Sequence, residues 1–198
     1  MDEQLEDHTR QKMLSITKDS AVATYTLLEN LLSWANNEQG QINYDPKNLQ
    51  LMEIVDNNIK LLKESALKKT IELSTDIGKS IEVFADYNTV DTIIRNLTSN
   101  SIKYTHEGGL ISISAKKITD FVELTISDNG IGMSQDEIKK ILDRDEYFAN
   151  PGTQGEKGAG IGLQLCIEFI KLNKGDYQIV SEKEKGTSFI FTLPCKGK

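Results

Sequence analysis

The chain has 198 residues, is 38% hydrophobic and carries a formal net charge of −7. That length can bury a substantial core, the acidic balance disfavours general binding of nucleic acid, and Cys166 and Cys195 alone give no disulfide framework. With no secretory leader and no apolar run near about 18 residues, the sequence predicts a soluble polypeptide of a reducing compartment, or the soluble piece of something larger.

In chain order, Met13, Ile16, Ser20, Ala23, Leu27, Leu31 and Trp34 recur at three- and four-residue steps, the seam of a helix that packs on another helix. Gly40 and Pro46, within NNEQGQINYDP, then mark a connection, dividing the chain into residues 1–40 and 41–198. A second helix is expected from about Asn48 to Lys69, with Leu49, Met52, Val55, Ile59, Leu62 and Ala66 inward, followed by short strands at Ile71–Ser74 and Ile81–Phe84. A third runs from about Asn88 to Thr105 and stops before Gly108 and Gly109.

Two alternating runs, LISISAKKI and FVELTISD, joined at Thr119-Asp120, read as a hairpin. Ser134 and Glu137 make a capping box for a short helix. Residues 143–158, containing Pro151, Gly152, Gly155 and Gly158, have no sustained period and read as a mobile loop. A helix from about Gly160 to Asn173 and two strands, YQIVSEKE and TSFIFTLP, close the chain. The whole predicts an α/β (α+β) two-layer sandwich, a mixed sheet with helices on one face, preceded by a long N-terminal helix.

Several polar residues do not suit a plain core. In RNLTSNSIKYTHEGG, Asn96, Asn100 and Lys103 fall at i, i+4 and i+7 on one face of the third helix, beside Val90, Ile94 and Leu97. In FVELTISDNGIGM, Val122, Leu124, Ile126 and Asp128 share one side of a strand, so a carboxylate ends a buried row. It needs a donor, and an exocyclic amine such as that of adenine would supply one. Thr187 likewise begins the row of Phe189, Phe191 and Leu193, so two polar tips can converge on one pocket floor. Gly130 and Gly132 permit close backbone approach or positive φ, while Gly158, Gly160 and Gly162 precede or open the helix carrying Leu163 and Ile167, an anion-binding arrangement. Turns and a C-cap would explain either glycine pair alone, but not both beside the Asn-Asn-Lys face.

These residues carry a resemblance. NLTSNSIKYT resembles the N box, DNGIGM the first glycine box, GAGIGL the second glycine box and GTSFIFTLP the closing strand of the GHKL ATP-binding superfamily, in that order across about Ile42 to Pro194. The resemblance implies ATP held between helices beneath a flexible lid. It implies that Asn100 binds Mg²⁺ through its amide oxygen, that Asn96 supports the metal site, and that Lys103 meets phosphate. Asp128 would accept from the adenine amine, with Gly130, Gly132, Gly160 and Gly162 shaping the walls. Gly158 and Leu163 would border the nucleotide. Tyr104 and Thr187 would be second-rank contacts, and Lys157 would reach the phosphates from the lid.

ATP-hydrolysing branches of the superfamily carry Glu four residues before the metal-binding Asn, as the base for a water. Here that residue is Asn96, which cannot take a proton, and the serine-kinase branch is disfavoured on the same ground. The site therefore resembles that of sensor histidine kinases in two-component systems, which transfer the γ-phosphate to a histidine for relay to a response regulator aspartate. TLLENLLSWANNEQGQINYDPKNLQL resembles the second helix of the dimerisation and phosphotransfer hairpin and its link to the catalytic domain.

The family's phosphoacceptor histidine is followed by an acidic residue and later a proline. Thr9 follows His8, no proline comes after on that helix, and His8 lies too near Leu27, so the acceptor is expected to be absent from this chain. The implied partners are ATP, a receiver domain and the histidine-bearing helix of the full-length protein, itself a homodimer; nucleic acid is not among them. The implied location is a cytoplasmic domain, with membrane anchoring of the whole protein left open. Two alternatives stand: an ATPase clamp of the same superfamily, and a nucleotide-binding module without transfer activity. His106 reads as an ordinary turn residue and Cys166 as core filler, the role of Phe148 stays open, and no GxxxxGK[ST] motif is present.

Overall fold

The computed structural model describes residues 44–142, 151–156 and 162–197. All of them belong to one compact unit, Asn43–Lys198. Its elements are β1 (Pro46–Gln50), α1 (Leu51–Lys68), β2 (Glu72–Ile77), β3 (Glu82–Asp86), α2 (Tyr87–Tyr104), β4 (Leu110–Ile118), β5 (Phe121–Asp128), α3 (Gln135–Leu142), α4 (Gly162–Leu172), β6 (Tyr177–Glu182) and β7 (Gly186–Pro194). The seam from Met13 to Trp34 lies outside the described residues, as do His8 and Phe148.

Five strands form a mixed sheet in the order β2-β4-β5-β7-β6, with β2 and β4 parallel and every other pair antiparallel. The hairpin forms as expected: Ile118 pairs with Phe121 across Thr119, whose φ is 43°. One face of the sheet supplies the core. Val122, Leu124 and Ile126 of β5 are buried beside Ile111 and Ile113 of β4 and Phe189, Phe191 and Leu193 of β7. Complete burial of a side chain such as Leu124 or Phe191 is worth about 1.5–3 kcal/mol each. The other face is polar, with a Ser127–Ser188 hydroxyl bond at 2.8 Å and a Lys116–Glu123 ion pair at 2.8 Å. The alternation of apolar and polar residues in FVELTISD is thus the alternation of core and solvent.

Helix α2 packs between α1 and α4, burying Val90, Ile93, Ile94 and Leu97. Asp86 caps it, accepting from the Thr89 N–H at 2.9 Å, which satisfies one of the orphan donors of the first turn. The carboxamide of Asn173, just beyond α4, accepts from the Asp86 N–H at 3.0 Å and donates to Thr89 Oγ1 at 2.8 Å. The start of α2 is therefore fixed to the end of α4 by a buried network in which both groups are paired. The capping box of α3 forms: Ser134 N–H and Oγ–H donate to Glu137 Oε2 at 2.8 and 2.7 Å, and Glu137 N–H donates to Ser134 Oγ at 3.3 Å.

Two expectations need correction. Residues 46–50 are a strand and not the first turn of a helix. Pro46 opens β1, which pairs antiparallel with β3 in a separate two-stranded sheet, Leu49 opposite Val83. Pairing across the intervening α1 overrides the helical spacing of Leu49 and Met52, and a proline at the first residue of a strand loses no ladder bond. The inner face of α1 is consequently Leu51, Ile54, Val55, Asn58 and Ala66, with Met52, Ile59 and Leu62 only half-buried. The second correction is one of bounds: β2 runs to Ile77 and β3 begins at Glu82 and ends at Asp86, because each is set by its partner strand.

Candidate functional site

The carboxylate that ends the buried row of β5 is anchored by three protein donors. Asp128 stands opposite Thr187 in the β5–β7 register. Its Oδ1 accepts from the Gly130 N–H at 3.0 Å and the Thr187 N–H at 3.2 Å, and its Oδ2 accepts from the Ser101 hydroxyl at 3.0 Å. Burial pushes its pKa up, and the bonds from Gly130, Ser101 and Thr187 oppose that rise. A carboxylate offers roughly four lone-pair sites, two on each oxygen. The three donors leave capacity on Oδ2 for one more.

The loop after β5 is pressed against the end of α2. A Cβ on Gly130 would run into the Tyr104 carbonyl, and the Ile131 N–H donates to that same carbonyl at 3.1 Å. Gly132 adopts φ +59°, and a Cβ there would meet the Glu182 carbonyl. On the far side, Met133 N–H donates to Ser181 Oγ at 2.8 Å, and Glu184 N–H to the Ile131 carbonyl at 2.7 Å. Ser181 Oγ also lies 2.9 Å from Thr187 Oγ1, so the Thr187 side chain belongs to the β6–β7 turn while its N–H belongs to Asp128.

Along α2, Asn96, Asn100, Lys103 and Tyr104 are all half-buried. The Asn96 Nδ2 donates to the Thr92 carbonyl one turn back at 3.0 Å. The Asn100 carboxamide makes no hydrogen bond among the described residues. Lys103 Nζ donates to Tyr104 Oη at 2.9 Å and lies 4.6 Å from the centre of that ring. Gly162 and Leu163 open α4, whose first turn is tied to α3 by Gln164 Nε2 donating to the Ile141 carbonyl at 2.7 Å. Lys157, Gly158 and Gly160 lie outside the described residues.

The structure thus brings Asp128, Gly130, Gly132, Tyr104 and Thr187 together at one end of β5. A separate hollow of about 710 Å³, bordered by Ser80, Phe84, Lys117 and Cys195, opens beside Val122 at the other end of that strand and gathers none of these groups. Sequence reasoning missed Ser101. It is buried on the same inner face as Ile94 and Leu97, and an unexplained hydroxyl there and an unexplained carboxylate at Asp128 are two halves of one pair. Among the described residues no group of three or more His, Cys, Asp or Glu could hold a metal ion, so a cation here would need amide and ligand oxygens. Cys166 is fully buried, its Sγ 3.8 Å from the Ile93 carbonyl, and burial pushes its thiol far above the usual range.

Residues 85–197, from the end of β3 to just beyond β7, match the family described as "Histidine kinase-, DNA gyrase B-, and HSP90-like ATPase". The chain belongs to this family. Among curated relatives of this ATPase fold, the chain is 34% identical over 154 residues to the adaptive-response sensory kinase SasA of Prochlorococcus marinus strain MIT 9303, a match spanning 76% of this chain and 41% of that protein. It is 27% identical over 191 residues to an uncharacterised sensor-like histidine kinase of Rhizobium meliloti, spanning 96% of this chain and 36% of that protein. The chain therefore spans about two fifths of the curated relatives it matches.

Among solved structures, the catalytic domain of histidine kinase ThkA superposes with a TM-score of 0.66 at 25% identity, covering 76% of this chain and 95% of that one. Full-length ShkA, solved in complex with AMPPNP, superposes at 0.74 and 21% identity over 93% of this chain and 38% of that one, a likeness of fold. The unit described above is a histidine kinase-type ATP-binding catalytic domain. No helix among the described residues is long and apolar enough to cross a membrane.

Proposed function

We propose that this chain binds Mg·ATP between α2 and the Asp128 end of β5, as the catalytic part of a sensor histidine kinase. In the whole protein it passes the γ-phosphate to a histidine on the dimerisation hairpin, for relay to a receiver-domain aspartate. The observation that carries the reading is the single acceptor site left on Asp128 Oδ2 by its three protein donors. An exocyclic amine fills that site without disturbing any existing bond, which selects adenine over a ring carrying a carbonyl there.

The roles along α2 follow. Asn100 offers an amide oxygen unengaged by the described residues, suited to a hard divalent cation that completes its shell with phosphate oxygens and water. Bound there, Mg²⁺ would neutralise phosphate charge during transfer. Lys103 contributes a point charge toward the phosphates, with Tyr104 beside it; Gly158, Gly160 and Gly162 would leave main-chain N–H groups to the phosphates, Lys157 would reach them from the lid, and Leu163 would border the nucleotide. Asn96 holds its amide on the helix backbone and supplies no base, which favours transfer over hydrolysis.

Residues 1–40 are taken as the second helix of the hairpin and residues 41–198 as the catalytic domain. The location proposed is cytoplasmic, with homodimerisation a property of the whole protein. ThkA, solved with the response regulator TrrA, shares this fold at 19% identity and a TM-score of 0.65, and supports a receiver domain as the kind of partner. The test is incubation of the chain with γ-labelled ATP and Mg²⁺, with and without a histidine-bearing hairpin. Label should appear on the hairpin histidine alone, with little free phosphate. Steady phosphate release would favour an ATPase clamp, and binding without label on any hairpin would favour a nucleotide-sensing module.

A further inference from the structure

Lys69, just beyond α1, is 3% exposed, and its Nζ lies within bonding reach of five acceptors. These are the carbonyls of Ile102 (2.9 Å), Lys103 (3.0 Å) and Thr105 (3.4 Å), Thr153 Oγ1 (2.6 Å) and Glu156 Oε1 (2.7 Å). An ammonium has three protons, so the acceptors share them. A cation at a helix C-terminus is ordinary, and that alone would explain the carbonyl bonds. It does not explain why Thr153, 84 residues away, sits in the same cluster.

Residues 151–156 form a closed turn: Gly152 N–H donates to the Glu156 carbonyl at 2.8 Å, Gly155 N–H to the Gly152 carbonyl at 2.9 Å, and Gln154 N–H to Glu156 Oε2 at 2.8 Å. The turn is seated on Lys103. Thr153 N–H donates to the Lys103 carbonyl at 3.0 Å, and its hydroxyl proton is shared between the carbonyls of Thr105 at 2.9 Å and Lys103 at 3.2 Å. A Cβ on Gly152 would run into Lys103 Cγ and the Lys103 carbonyl. Lys103 is thus gripped at its main chain by two partners and along its stem by a third.

We propose that Lys69, Thr153 and Glu156 form a clamp that positions Lys103 toward the nucleotide's phosphates. Lys69 is a positioning residue that touches no nucleotide. The inference rests on the nucleotide reading above and adds to it the element that sets the reach of the phosphate-facing lysine. Because Glu156 offsets the buried ammonium, the clamp is a neutral unit, and its effect on the phosphates is exerted through the placement of Lys103 and not through a net charge of its own.

The test compares binding of ATP, at fixed Mg²⁺, with binding of adenosine, which has no phosphate, for the full chain and for Thr153→Val, Lys69→Met, Lys103→Met and the Lys103→Met/Thr153→Val pair. Thermal unfolding serves as the check on folding, and Thr153→Val, nearly isosteric, is the deciding variant. It should weaken ATP about fivefold to tenfold. It should leave adenosine within about twofold, and add no more than about twofold once Lys103 is gone. ATP affinity unchanged by Thr153→Val, ATP and adenosine falling in parallel, or full additivity with Lys103→Met would each overturn the clamp while leaving the nucleotide site standing. Failure of the unsubstituted chain to bind ATP would remove both.

Discussion

The Thr187 N–H donates to Asp128 Oδ1 at 3.2 Å across a register pair, so the opening residues of the last long strand help hold the carboxylate at the end of the middle one. An asparagine can keep this geometry. Its oxygen accepts from Gly130 and Thr187, and its amide donates to Ser101, but it then presents a donor toward the adenine amine. Asp128→Asn should therefore fold normally and lose about 1–3 kcal/mol of ATP affinity by calorimetric titration. Unchanged affinity would place adenine elsewhere.

Two carboxylates should give stability opposite pH dependences. Burial raises the Asp128 pKa above its ordinary 3.8, so the folded state holds that proton more tightly than the unfolded one, and stability falls as pH rises from 3.8 through the raised value. The Ser134 N–H and then its hydroxyl lower the Glu137 pKa from 4.5, so its contribution is present above 4.5 and is lost as pH falls through the lowered value. Denaturant unfolding from pH 3 to pH 7 should show the first slope vanish in Asp128→Asn and the second in Glu137→Gln. Ser134→Ala should cost about 0.5–2 kcal/mol at neutral pH as a lost cap.

Gly130 and Gly108 separate steric from conformational need. A Cβ on Gly108 meets nothing within 4 Å, and only its φ of +75° opposes substitution. Gly108→Ala should therefore cost about 1–2 kcal/mol and leave ATP binding intact. Gly130→Ala drives a methyl into the Tyr104 carbonyl, so it should cost about 2 kcal/mol or more and weaken ATP as well. Equal effects from the two substitutions would show that the loop does not need its close seat on α2.

Asn96→Glu tests why the pocket would retain its nucleotide. A carboxylate at that point on α2, no longer donating to the Thr92 carbonyl, becomes available to a water. Steady phosphate release should rise about tenfold or more. An unchanged rate would mean that water is excluded by something other than a missing base.

Local pattern revealed what local physics decides. The β4–β5 hairpin, the row ending at Asp128 and the Ser134–Glu137 box were legible because period, turn and cap are each written within a few consecutive residues. Strand β1 was not, since Pro46–Gln50 pairs with residues more than thirty positions on and its Leu49 fits a helical stripe equally well. Of the residues gathered at the Asp128 end of β5, Asp128, Gly130, Gly132 and Thr187 could be named from sequence, while Ser101, although it lies within NLTSNSIKYT, and Lys69, at the Lys103 carbonyl, could not. Lys69 sits in LKKT, where a lysine beside a helix end reads as solvated, and only contacts 33 to 87 residues distant draw it inside.

The final carbonyls of α2, and that of Thr105 just beyond it, are each claimed by a remote stretch: Ile102 by Lys69, Lys103 by Lys69 and Thr153, Tyr104 by Ile131, Thr105 by Lys69 and Thr153. A free helix end frays, whereas this one is riveted from three directions. Amide hydrogens of its last turn should exchange with solvent nearly as slowly as those of the sheet. Because those rivets come from segments on either side of it in the chain, the turn should consolidate only after both have arrived, a sequence that pulse-labelled hydrogen exchange during refolding would reveal.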